Sequence, residues 1–192
     1  METKNIIIIG VGGQGSLLAS KILGDLLLRQ GYDVKVSEVH GMSQRGGSVI
    51  TYVRFGDHVY SPVVDEGEAD FIVSFELLET ARWLKCLKPG GQIVTNTQQI
   101  APMPVITGAA TYPENLVHKI KAKGIQIDAM DCLTLAQKAG SQKAVNIVLL
   151  GRLSHYFDIS EEIWQEVLAA NIPPKFHELN RKAFALGRNY RT

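Results

Sequence analysis

At 192 residues the chain is long enough for one sizeable core and too short for two ordinary domains, so a single domain over residues 1–192 is expected. Hydrophobic residues at 45% against charged residues at 20% exclude wholesale disorder. Twenty basic and nineteen acidic side chains leave +1, which excludes an overall cationic field for nucleic acid or anionic lipid.

The four isoleucines ahead of the first glycines make too short a run for a signal peptide, and no stretch reaches membrane-spanning length. A soluble, cytoplasmic protein is expected. Asn5–Ile9 is a β-branched strand closed by Gly10. From Ser16 to Gln30, Leu18, Ile22 and Leu26, with Ala19, Leu23 and Leu27 one row over, recur at helical spacing before Gly31. Tyr32–Val39 alternates as a second strand one helix later, as a right-handed βαβ unit requires.

Gly41–Gly47 has no periodicity and reads as a loop, and Ser48–Phe55 alternates as a strand. Gly56-Asp57 ahead of His58–Tyr60 suggests a hairpin there, which would make the sheet mixed. Phe71–Phe75 is a buried strand and Glu76–Leu87 a helix, with Pro89-Gly90-Gly91 as its stop. Gln92–Asn96 is a strand, Pro102–Pro104 a rigid bend, and a further strand is expected near Val105. A helix over Glu114–Lys123 and a strand over Ile125–Met130 complete the sheet.

From Ala144 the chain reads as helical. Val145–Leu153 has almost no polar face and should be buried, and Ser160 caps the next helix. The last helix carries a stripe of Phe176, Leu179, Ala183 and Leu186, and Gly187 is expected to end it. The pattern is α/β: a Rossmann-like, three-layer domain with a mostly parallel sheet, mixed if the hairpin forms, and a helical C-terminal segment.

Cys86 and Cys132 stand apart, with no C-x-x-C and no neighbouring histidine set, so neither a structural zinc site nor an iron–sulfur cluster has its ligands. Both are expected to be reduced, buried thiols. The five histidines show no metal spacing, and only His40 stands where an acid–base role would be conceivable, a structural hydrogen bond being the simpler reading. No catalytic residue and no metal ligand is expected in this chain.

Gly10-Val11-Gly12-Gly13-Gln14-Gly15 fits G-x-G-x-x-G between a strand and a helix. Its glycines permit a tight turn, and the free N–H groups at the helix start favour a phosphate-like anion. The same glycines would also serve a turn and close packing alone. Glu38, near the end of the second strand, could accept bonds from an adenosine ribose, whereas no proton-donor constellation for a dehydrogenase follows and no Gly-Lys-Ser/Thr supports a nucleoside triphosphatase. In the second informative segment, Ser43, Gln44 and Arg45 precede two glycines, and the Arg45 guanidinium could clamp a phosphate or carboxylate or simply remain solvated.

Together, V-G-G-Q-G at 11–15 and H-G-M-S-Q-R-G-G-S-V at 40–49 resemble the gamma subunits of 2-oxoacid:ferredoxin oxidoreductases, most closely the small subunits of the indolepyruvate branch. F-I-V-S-F-E-L-L-E-T at 71–80, N-T-Q-Q-I-A-P-M-P-V at 96–105 and the I-P-P-K and A-F-A-L-G stretches extend the likeness over essentially the whole chain. The resemblance implies a subunit, inactive alone, of an enzyme that oxidatively decarboxylates a 2-oxoacid, an aryl pyruvate such as indolepyruvate, to an acyl-CoA and passes electrons to ferredoxin. Thiamine diphosphate, magnesium and the iron–sulfur clusters would then sit on a large partner subunit. The residues matching the family's loops, Gly10, Gly12, Gly13, Gln14, Gly15, Ser43, Gln44 and Arg45, would be this chain's contribution, with coenzyme A a possible ligand of the glycine loop. A stand-alone Rossmann-like dinucleotide-binding protein or dehydrogenase is the alternative.

Overall fold

A computed structural model describes residues 2–40 and 47–191. Six strands form one sheet: β1 (Lys4–Val11), β2 (Asp33–His40), β3 (Ser48–Gly56), β4 (Ala69–Ser74), β5 (Leu87–Asn96) and β6 (Gln126–Met130), in the order β2-β3-β1-β4-β5-β6. β1, β4, β5 and β6 pair in parallel, whereas β3 runs antiparallel to both β1 and β2. The sheet is therefore mixed, as allowed for, but by a different route. His58–Tyr60 forms no strand, and the antiparallel member is β3 itself, wedged between β1 and β2. Local alternation shows that a segment is extended and says nothing of which neighbour it pairs with.

The helices are α1 (Ser16–Arg29), α2 (Leu77–Arg82), α3 (Met103–Ile106), α4 (Leu116–Lys121), α5 (Cys132–Ala139), α6 (Val145–Leu153), α7 (Glu161–Asn171) and α8 (His177–Arg188). β1 is buried on both faces, as a central strand must be. Ile6 and Ile8 join the core under α1 and α5 to α8, while Ile7 and Ile9 join a smaller core on the opposite face with Cys86, Ile93 and Ile120. No helix among the described residues is long and apolar enough to cross a membrane.

Three further expectations need correction. The helix after β4 ends at Arg82, and Pro89-Gly90-Gly91 lies within β5, where a register shift between Ala69 and Phe71 and a positive φ of 77° at Gly90 absorb it. The segment around Val105 is the one-turn helix α3, begun by Pro102 and Pro104, because proline's fixed φ suits a first helical turn. Gly187 lies inside α8. A Cβ there would stand 2.0 Å from the Val148 carbonyl oxygen, and one at Gly151 2.2 Å from that of Phe184, so α6 and α8 cross backbone to backbone at two glycines.

At the amino edge of the sheet, buried Asp70 accepts from the Asn5 amide (2.9 Å), Lys4 Nζ (3.1 Å) and Lys88 Nζ. Burial pushes its carboxyl up, but Lys88, the Asn5 amide and Lys4 outweigh that and hold it below the ordinary 3.8. A depressed folded-state value means that the stabilisation is complete above the unfolded value and is lost as pH falls through the folded one. Asp70→Asn is therefore expected to flatten the acid limb of the stability curve below pH 3.8, measured by denaturant unfolding at a series of pH values. An acid limb as steep as that of the wild type would remove Asp70 from this account.

Candidate functional site: a glycine-loop cleft

β1 delivers the chain to the carboxyl edge of the sheet, where the turn into α1 needs conformations that only glycine adopts readily. Gly13 has φ +95° and Gly15 φ +90°. Gly12 N donates to the Gly47 carbonyl at 3.0 Å, tying the start of the turn to the segment that enters β3. A Cβ at Gly10 would lie 2.7 Å from Gln14 Oε1 and 2.9 Å from Phe75 Cβ, so this first glycine makes room for the brace above it.

That brace is Gln14. Its Oε1 accepts from Val11 N at 2.7 Å, and its Nε2 donates to the Phe75 carbonyl at 3.2 Å and to Gln98 Oε1 at 3.4 Å. With both ends of its amide engaged inside the protein, Gln14 holds the loop's shape, and the backbone is what faces the cleft. Among the described residues no side chain caps α1, whose flanking residue is Gly15, so they leave the positive end of a 14-residue helix to solvent or a ligand.

The cleft has a volume of about 470 Å³ and is lined by Gly12, Gly13, Gly15, Ser16, Leu17, Glu38 and Val49. Glu38 thus reaches the glycine loop even though β3 separates β2 from β1, and its Oε2 accepts from Thr51 Oγ1 at 3.4 Å. Among the described residues nothing lies within 4 Å of where a Cβ at Gly13 would be, so they leave its backbone open to approach. Ser43, Gln44 and Arg45 lie outside the described residues. The residues on either side, His40 at the end of β2 and Gly47 bound to Gly12, stand at the glycine-loop edge.

Behind this edge lies a polar network that the sequence reading missed. Glu76, 1% exposed, caps α2 by accepting from Glu79 N at 2.8 Å, and its other oxygen accepts from Ile100 N (3.0 Å) and Tyr112 Oη (2.5 Å). Burial and the adjacent Glu76 carboxylate push the Tyr112 hydroxyl up, which keeps it a donor. Glu79 accepts from Ser48 Oγ (2.5 Å) and Arg82 (2.6 Å), and buried Asn96 donates to Phe75 O and Gln98 Oε1, both at 3.3 Å. An acid directly ahead of a short apolar helix was the available cue for Glu76. The network carries no nucleophile–base pair, and its effect is to fix the loops that frame the cleft.

Cys86 and Cys132 are free and buried, and burial pushes both thiols up. Among the described residues no group of three or more His, Cys, Asp or Glu side chains is placed to hold a metal ion.

Residues 5–190 match the protein family described as Pyruvate ferredoxin/flavodoxin oxidoreductase. The Indolepyruvate oxidoreductase subunit IorB of Thermococcus kodakarensis is 48% identical over 192 residues, covering 97% of this chain and 95% of that one. Its counterpart from Archaeoglobus fulgidus is 36% identical, covering 96% and 94%. Among solved structures, the gamma subunit of a keto/oxoacid ferredoxin oxidoreductase from Geobacter sulfurreducens superposes with a TM-score of 0.71 over 96% of each chain, at 24% identity, a likeness of fold. With the family match running nearly end to end and a 48% identical relative covered over 95% of its own length, the chain belongs to the pyruvate ferredoxin/flavodoxin oxidoreductase family.

Proposed function

We propose that this chain is the small subunit of a 2-oxoacid:ferredoxin oxidoreductase, acting on an aryl pyruvate such as indolepyruvate, and that it is inactive without a large partner. The observation that carries this is the 48% identity to a subunit named for indolepyruvate over almost the full length of both chains. In this reading the partner holds thiamine diphosphate, magnesium and the iron–sulfur clusters, which supply the decarboxylation and electron-transfer chemistry, and ferredoxin is reached through the complex. Two buried cysteines are too few for a cluster on this chain.

The chain's own contribution is the glycine-loop cleft. Among the described residues the start of α1 is uncapped and the backbone at Gly13 open, which suits an anion, and coenzyme A is the proposed ligand, its phosphates against the loop, with the Arg45 guanidinium as their further proposed partner. Glu38 in the cleft wall favours a second reading, a stand-alone dinucleotide-binding protein whose ribose it would accept from.

Co-expression with the large subunit and anaerobic purification separates the two. The lone chain should be colourless and inactive, and a 2-oxoacid- and coenzyme-A-dependent dye reduction should appear only in the complex. Failure to associate, together with micromolar binding of a nicotinamide or flavin dinucleotide by the lone chain, would establish the second reading instead.

A further inference from the structure

Between Lys88 and Glu114 the sequence carries no charged residue, and the middle of this stretch leaves the body of the protein. None of residues 101–111 is buried, Met103 is 67% and Ile106 65% exposed, and α3, which carries them, makes no substantial packing with any other helix or strand. Single exposed apolar side chains are ordinary. These two stand three apart on one helical turn and so share a face.

The excursion is built to keep its shape. Pro102 and Pro104 fix its backbone at the turn, and Ala110 N closes on the Pro104 carbonyl at 3.0 Å. Both ends are pinned to one buried carboxylate: Glu76 Oε1 accepts from Ile100 N on one side and Tyr112 Oη on the other. Holding an apolar knob rigid in water gains the free chain nothing. It lowers the ordering cost of docking.

We infer that the 97–113 arm is a preformed docking knob whose Met103 and Ile106 insert into an apolar, uncharged groove on the large partner subunit. This rests on the reading of the chain as a subunit. The groove is uncharged because a partner charge brought against this arm would lose its hydration and find no counter-ion. A second copy is the poorer occupant: paired arm to arm across a two-fold axis, the two exposed tips fall short of the roughly 20–30 residues a side that a stable interface takes. The arm must be one part of a wider covered face, and next to it lies the glycine-loop edge, joined to it through Gln98 and Gln14 and bearing Leu17, 64% exposed. A large subunit seated on that edge takes both.

The test compares wild type with Met103→Asp/Ile106→Asp, both positions being exposed, and with Tyr60→Asp as a control at the opposite edge, where the side chain is 96% exposed. The double variant should bind the purified large subunit about thirtyfold more weakly or worse, with an unchanged thermal transition, while the control binds normally. Hydrogen exchange of amides 101–111 reads the same contact without any substitution and should slow on assembly. Undiminished affinity or unslowed exchange in a complex that forms would overturn the knob and leave the subunit reading standing. No binding by the wild type would overturn both. A doubling in mass of the lone wild type, abolished by the double substitution, would assign the arm to a second copy and reject the large subunit as its occupant.

Discussion

Gly187→Ala is expected to destabilise the chain by about 3 kcal/mol or more, lowering the thermal midpoint by roughly 6–12 °C, because the new methyl has no space to enter. It would meet the Val148 carbonyl oxygen at 2.0 Å and its carbon at 2.8 Å, backbone atoms of a helix that is buried along its whole length. No rotamer relieves such a contact. Only separation of α6 from α8 does, and that opens the core around Val148, Phe184 and Trp164. Gly31→Ala separates this effect from backbone conformation: Gly31 has φ +85° with nothing among the described residues within 4 Å, so its alanine variant should lose only about 1–2 kcal/mol. Equal losses at the two positions, measured by denaturant unfolding, would mean that the helices do not touch at Gly187.

Gly187 also shows where local pattern stops being informative. A glycine after an apolar stripe reads as a helix end, and only the approach of a helix from forty residues upstream reveals it as a packing residue. β3 is a similar case, since alternation gave its extent correctly while its place between β1 and β2 depends on pairing that no local signal encodes. What was legible was contiguous: the run of isoleucines in β1, the glycine turn, the α1 stripe, and the helix over Val145–Leu153, where every residue is buried.

The candidate site divides in the same way. The glycine loop is a single run of sequence whose meaning comes from the strand before it and the helix after it. The residues that hold it come from elsewhere: Gln98 reaches Gln14 across 84 positions, and Tyr112 reaches Glu76 across 36. Gln14 sits inside the motif, where a ligand residue is expected. Its amide is spent on Val11, Phe75 and Gln98, which makes the backbone, and Gly13 above all, the part of the loop free to meet a ligand.

Gly13→Val in the assembled complex is accordingly expected to raise the apparent KM for coenzyme A about tenfold or more. Two effects of the substitution must be separated. The backbone at φ +95° is strained for any residue with a Cβ, costing about 1–2 kcal/mol for alanine and more for β-branched valine. Occupation of the cleft is different in kind: no atom of the described residues lies within 4 Å of the Cβ position, so a larger side chain projects into the space a phosphate would need. Gly13→Ala therefore reads backbone strain with little intrusion, and Gly13→Val adds the intrusion, so valine should be the more severe in coenzyme saturation. If both complexes saturate with coenzyme A as the wild type does, the cleft holds no part of it, and the glycines serve only the turn that sets α1 against the sheet.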